Sequence, residues 1–527
     1  MRKINGLLLT SIILFFSLAV SAQEFEVCRG GCMPDVEGYA ATAAQRAARR
    51  LPPINRYWDA NKTYKQLVIL VSYALDDVNF TSSDPNALYN RLFNELGYTE
   101  EGRKGKGCVA DYYREQSGGL LNLQFDIYGP YKVNYRAQPT ESPTSSTKNY
   151  NKAAMRAAVM QFLEENPNID LSEYDWDGDY TINQVIFLHA GLSGNINHPD
   201  CYGHVWPSTG VFTTITAPGG YEISNYSASA ELWPNNRLMG IGTICHEFSH
   251  SLGLPDIYPV PSWTYTAVDE WDLMDGGNFT NYGWCPPNYS PLEKMLLGWL
   301  EPIELKEPCS VVGLKSISDG GDVYMVKHTD TEFLLLENRQ WDGWDFGNPG
   351  KGLVVYHVNY IPTSWSNNSV NGTKDVFNYS IVAADNRDYD AWDDLVTKAG
   401  THPRYQNSQW LNKSYLSGSP YPYATDSTET VDALTDTTIP AAVMITENAA
   451  GSKMLSKPIT NIRTSEDGLI SFDFMGGGTS TEVIVDVPNN KHSDACFDIN
   501  GRQVSSVTRR GLYLIRKPNG TIKKFFK

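Results

Sequence analysis

The stretch Met239-Gly240-Ile241-Gly242-Thr243-Ile244-Cys245-His246-Glu247-Phe248-Ser249-His250-Ser251-Leu252-Gly253-Leu254-Pro255-Asp256 carries apolar residues at 241, 245, 248 and 252, a spacing that predicts a helix. On such a helix His246 and His250 lie four apart and project from one face, as two imidazoles must to share a zinc ion at about 2.0–2.1 Å. Glu247 lies beside them without needing to be a ligand. Gly253 can take the left-handed conformation that ends a helix, and Leu254 and Pro255 then lead the chain back to Asp256.

His246, His250 and Asp256 would supply three protein ligands and leave a fourth position for water, as hydrolysis requires. Zinc can lower the pKa of a bound water from 15.7 to about 7, and Glu247 is placed to take its proton as general base and pass it to a leaving amine. A carboxylate as third ligand leaves less positive charge than a third histidine would, so a neutral or mildly alkaline optimum is expected. The five-residue His-Glu-x-x-His pattern alone arises by chance on helices, and the glycine and aspartate at the correct offsets make it specific. A downstream glutamate as third ligand, Glu270 or Glu293, is the competing arrangement.

Downstream, Trp271-Asp272-Leu273-Met274-Asp275-Gly276-Gly277 places a methionine in a glycine-rich turn. Met274 would form a polarizable floor under the ligands, packing without coordinating. Upstream, buried-type strands are expected at Leu67–Val71 and Gln184–Leu188, and an alternating one through Leu121, Leu123, Phe125 and Ile127. Helices are expected around Asp111–Glu115 and over Lys152–Glu165, so strands and helices interleave and residues 62–300 read as α/β (α+β). After Leu300 the texture changes to short β-type runs, which predicts a β-sandwich-like region over 301–475. A Gly-Gly-Gly-Thr-Ser-Thr linker at 476–481 then precedes a small β module at 482–527.

Asp175, Asp177 and Asp179 alternate in an acidic turn with Asn183 further on, a candidate calcium loop. Tyr180 stands in place of the glycine of an EF-hand loop and Ile186 in place of its last glutamate, which excludes that motif. An acidic turn without an ion is the alternative. The remaining histidines lack ligand spacing, and Cys245 reads as buried packing.

The first 22 residues read as an export signal: Arg2 and Lys3, an apolar run from Leu7 to Val20, and a small-residue cleavage site ending at Ala22. Residues 23–61 are expected to form a propeptide or N-terminal arm. No segment predicts a membrane span, and the position of Cys28 speaks against a lipid anchor. A formal charge of −17 disfavours nucleic acid as a partner, and eight cysteines are too few for a dense disulfide framework.

These residues resemble the immune inhibitor A family of zinc metallopeptidases, with metzincin-like architecture. The likeness is carried by His246 through Asp256, Met274-Asp275-Gly276-Gly277 and Leu296-Leu297-Gly298-Trp299. It extends upstream to Asp111-Tyr112-Tyr113-Arg114-Glu115-Gln116-Ser117 and Tyr174-Asp175-Trp176-Asp177-Gly178-Asp179, and downstream to Leu336-Glu337-Asn338-Arg339. The resemblance implies a secreted endopeptidase acting on protein or peptide substrates, with its cleft between an upper α/β part and a lower part below the zinc helix. The final segment, with Phe497-Asp498-Ile499-Asn500-Gly501-Arg502 and Gly511–Arg516, is similar to sorting domains of the bacterial type nine secretion machinery, which implies release or display at the cell surface. Gly31-Cys32-Met33-Pro34 resembles the cysteine switch of matrixin propeptides, but it lacks that motif's flanking residues, and a local Cys28–Cys32 disulfide is the favoured reading. Outside catalysis, a secreted adhesin on a degenerate peptidase scaffold is the alternative, against which the intact Glu247 argues.

Overall fold

Strand β1 (Thr63–Tyr73) is buried from Gln66 to its end, as expected at the centre of a sheet covered on both faces. Its alternating side chains divide between two cores. Leu67, Ile69 and Val71 face helix α3 (Lys148–Glu165) through Met155, Val159 and Phe162. Val68 and Leu70 face α1 (Pro85–Asn94), α2 (Val109–Gln116) and α4 (Gly242–Leu252). The sheet runs β2 (Asn122–Val133), β1, β3 (Val185–Leu192), β5 (Glu222–Trp233), β4 (Ser208–Thr216). The first four strands are mutually parallel, and β4 pairs antiparallel with β5 at the edge. The mixed α/β class expected from the interleaved pattern is the one observed.

The computed structural model describes residues 58–141, 147–260, 267–373, 376–387, 416–424 and 429–478, together with the backbone of short strands at 26–27, 495–497, 503–504, 512–516 and 522–526. The expected export signal, Cys28, Cys32, most of the N-terminal arm and half of the 476–481 linker lie outside the described residues. Among the described residues no helix is long and apolar enough to cross a membrane.

After α5 (Pro291–Leu296), a five-stranded sheet runs β11 (Tyr379–Ile381), β10 (Gly352–Asn359), β9 (Glu332–Arg339), β8 (Tyr324–Lys327), β6 (Ile303–Glu304). One face, with Leu334, Leu336, Leu353 and Val355, packs on a three-stranded sheet of β7 (Cys309–Leu314), β13 (Ile470–Phe474) and β12 (Ile459–Thr464). This is the sandwich-like layering expected after residue 300. The other face, with Phe333, Leu335, Val354 and Tyr356, joins the core that also holds Ile244, Cys245 and Phe248 of α4. Hydrophobic packing therefore runs continuously across residue 300, and the β-rich region supports the helix that carries the histidine pair. The strands beyond 495 form an antiparallel four-stranded sheet of their own.

Buried charges tie these layers together. Arg339, at the end of β9, is sealed from solvent and donates to Glu337 at 2.5 Å, to Asp345 at 2.8 Å and to the carbonyls of Asn288 and Tyr289. A buried guanidinium is tolerated because nearly all of its donors find acceptors. It fixes the chain entering α5.

Candidate metal centre

Helix α4 buries every residue except Ser251. Its start fits tightly because residue 242 is glycine: a Cβ there would lie 2.0 Å from the carbonyl oxygen of Asn278. The Tyr113 hydroxyl donates to the Cys245 carbonyl at 2.7 Å, which gives this tyrosine of the upstream motif a physical role in seating the helix. At the other end Gly253 adopts φ 110° and ψ 5°, and the N–H groups of Gly253 and Leu254 return to the carbonyls of His250 and Ser249. The left-handed turn expected from the glycine is present, and it delivers Asp256 to the histidines.

His246 Nδ1 donates to the Leu273 carbonyl and His250 Nδ1 to the Leu254 carbonyl, each at 2.8 Å. Carbonyls only accept, so each Nδ1 carries a proton and each ring turns its Nε2 inward. Those nitrogens lie 3.2 and 3.3 Å from Asp256 Oδ1. All three side chains are completely buried. Burial alone would raise the Asp256 carboxyl, but His250 and His246 beside it overcome that and bring it down to about 2. The candidate ligand atoms of all three residues thus converge within 4.8 Å of one another. His246 Nε2 and Asp256 Oδ1 are buried polar atoms without a hydrogen-bond partner. Two imidazole nitrogens and one carboxylate oxygen gathered in a fully buried site are a donor set that fits a divalent metal.

Glu247, next to His246 in the helix, is almost wholly buried. The Thr209 hydroxyl of edge strand β4 lies 2.8 Å from Glu247 Oε2 and 2.7 Å from the Glu247 carbonyl. Asp256 is also held. Its N–H donates to Asn368 Oδ1 at 2.6 Å, and Asn368 Nδ2 donates to Asp256 Oδ2 at 2.8 Å. Neither Thr209 nor Asn368 was singled out by sequence. Threonine in a polar strand and asparagine in the run Ser366-Asn367-Asn368-Ser369 give no local signal, and the contacts span 38 and 112 residues.

Met274 is buried in the core that includes α4, and its carbonyl accepts from the N–H of Ile257, next to Asp256. Among the described residues the histidine pair groups with Asp256, not with Glu270 or Glu293. Glu293 instead caps α5, accepting from the Ser290 N–H at 2.8 Å and hydroxyl at 2.9 Å. Asp175, Asp177 and Asp179 also approach within 4.8 Å of one another, in a half-exposed to exposed turn. Asp175 accepts from the N–H groups of Gly178, Asp179 and Tyr180, and Asn183 Oδ1 accepts from Trp176 N at 2.6 Å, so the turn is shaped by its own hydrogen bonds. His189 is sealed in the core against Tyr73, and His357 pairs with Glu332 at 2.7 Å. Burial pushes the Cys245 thiol well above its ordinary value, in keeping with a packing role.

Residues 58–205 and 218–296 match the family described as immune inhibitor A peptidase M6, catalytic domain. The chain is similar to immune inhibitor A of Bacillus thuringiensis subsp. alesti, with 24% identity over 278 residues, covering 44% of this chain and 39% of that protein. It is also similar to the pre-pro-metalloprotease PrtV of Vibrio cholerae serotype O1, with 24% identity over 317 residues, covering 51% of this chain and 34% of that one. The similarity therefore spans well under half of either relative's length. The matched segments contain β1, β2, β3, β5, α4, His246, His250, Asp256 and Met274, while β4 with Thr209 falls in the gap between them. Over residues 58–205 and 218–296 the chain is thus similar to the catalytic domain of immune inhibitor A peptidases.

Proposed function

We propose that this protein is a secreted zinc-dependent endopeptidase in which His246, His250 and Asp256 hold the metal and Glu247 is the general base. The observation that carries this reading is the convergence of two imidazole Nε2 atoms and one carboxylate oxygen in a fully buried site, on the helix that also carries Glu247. Zinc bound there would supply Lewis acidity toward a peptide carbonyl and toward water. The chain's own residues do the rest. The Leu273 and Leu254 carbonyls fix both histidine tautomers, so that Nε2 faces inward. Glu247 accepts the proton of the attacking water and returns it to the leaving amine, with Thr209 aiming its Oε2. Met274 packs beneath without coordinating.

Secretion rests on the amino-terminal pattern from Arg2 to Ala22, and passage through a type nine route on the carboxy-terminal motifs. Asp175, Asp177 and Asp179 are proposed as a calcium site that firms the turn before β3. A melting temperature indifferent to calcium and EGTA would remove that part alone. For the main reading, Glu247→Ala should abolish casein hydrolysis while zinc content stays at one per chain, and 1,10-phenanthroline should silence the wild type. Hydrolysis by Glu247→Ala at the wild-type rate would refute the assigned base.

A further inference from the structure

We propose that Asn368 is the positioning residue of the metal centre: its side-chain amide aims Asp256 so that Oδ1 alone faces the two histidines, coupling the β-rich region to metal binding. The geometry is a two-point clamp. Asn368 Oδ1 accepts from the backbone N–H of Asp256 at 2.6 Å, and Asn368 Nδ2 donates to Asp256 Oδ2 at 2.8 Å. Only one orientation of the amide satisfies both contacts, because one end must accept and the other donate. With Oδ2 engaged, the carboxylate cannot rotate to present both oxygens, and Oδ1 is left 3.2 and 3.3 Å from the histidine nitrogens.

A carboxylate held at one oxygen only is free to turn about its Cβ–Cγ bond. The donor on Oδ2 opposes that rotation and preforms the ligand set, as partners of metal ligands generally do.

Asn368 is itself held where a long-range clamp must be. It is 3% exposed and adopts φ 53°, a left-handed conformation that asparagine tolerates better than most residues. Its segment is anchored by Trp365, buried in the core shared with α4, and by Ser369 N–H to the Ser364 carbonyl at 2.9 Å. Three residues on, Asn371 Nδ2 donates to the carbonyls of Ile257 and Tyr379, each at 2.9 Å, and Asn371 Oδ1 accepts from Tyr379 N. The segment between β10 and β11 therefore grips both Asp256 and the residue after it. It lies beyond the span matched to the family's catalytic domain, which ends at 296.

The inference rests on the zinc reading above, and the experiment separates the two. Zinc affinity of the full chain, in a Glu247→Ala background to prevent self-cleavage, is measured by competition with a fluorescent chelator, and urea unfolding is recorded on the metal-free protein. Asn368→Ala and Asn368→Gly both delete the amide, and the glycine variant also removes any strain at φ 53°. Both should bind zinc about 10- to 100-fold more weakly. Asn371→Ala, which loosens the same segment at Ile257 without touching the carboxylate, should lower stability as much but weaken zinc binding clearly less than the Asn368 variants do. If the alanine variant does not fold, the glycine variant decides. Wild-type affinity in Asn368→Gly, or an equal loss in Asn371→Ala, overturns the role assigned to Asn368. A parent protein that binds no zinc overturns the zinc reading instead.

Discussion

Replacing Gly253 by alanine should damage two ligands through one backbone dihedral. Gly253 sits at φ 110° and ψ 5°, where a Cβ is strained. Forcing a non-glycine residue into left-handed space costs about 1–2 kcal/mol. Alanine also restricts the unfolded chain, which offsets about 0.4–1 kcal/mol of that strain, so a net loss of about 0.5–1 kcal/mol is expected in the metal-free protein. The same turn carries Leu254, whose carbonyl fixes His250, and Asp256 three residues on. If alanine relieves its strain by moving the turn, His250 loses its orienting acceptor and Oδ1 leaves the histidines, so zinc affinity should fall at least tenfold. The assay pairs urea unfolding in EDTA with chelator competition, both on Glu247→Ala protein. Unchanged metal-free stability together with unchanged affinity would refute the role given to this turn.

Other perturbations test neighbouring parts of the argument. Thr209→Val removes the hydroxyl 2.8 Å from Glu247 Oε2 at nearly constant volume; kcat should fall about tenfold, the worth of one charge-assisted hydrogen bond, with zinc content unchanged, and an unaltered kcat would count against it. Arg339→Met strands the buried Glu337 and Asp345 carboxylates and should cost about 3–5 kcal/mol in urea unfolding, whereas a loss under about 1 kcal/mol would mean the network is dispensable. Burial, with the Asp272 carboxylate beside it, pushes the Glu293 carboxyl well above the ordinary glutamate value of 4.5. The folded state then binds a proton that the unfolded chain has released, so stability falls as pH rises from about 4.5 toward the raised folded value, by up to about 1.4 kcal/mol per unit from this group. Glu293→Gln should flatten that decline, and parallel pH–stability curves for the two proteins would contradict the assignment.

The parts of this molecule legible in the sequence are those where a local pattern coincides with a long-range need. The helix from Gly242 to Leu252 shows its apolar spacing, its histidine pair and its glycine stop within a few residues, and the turn to Asp256 follows from them. The run Leu67–Val71 announces a buried strand because both its faces are covered. Strand β4 was not visible, since Ser208-Thr209-Gly210 and Thr213-Thr214 give a polar edge strand whose partner, β5, is buried with serines and alanines instead of large apolar residues. Thr209 went unnoticed with it. Asn368 could not be found from spacing at all, because its pairing with Asp256 depends on how the sheet after residue 300 folds against α4. The Asp111–Ser117 motif was recognisable as a pattern, but its purpose, a tyrosine hydroxyl on the Cys245 carbonyl, belongs to the three-dimensional packing.

Anomalous diffraction at the zinc absorption edge, from crystals of the Glu247→Ala chain, tests the central claim most directly. The account predicts one strong peak within about 2.0–2.2 Å of His246 Nε2, His250 Nε2 and Asp256 Oδ1. No peak at the histidines, or one whose third protein ligand is Glu270 or Glu293 with Asp256 turned away, would contradict it.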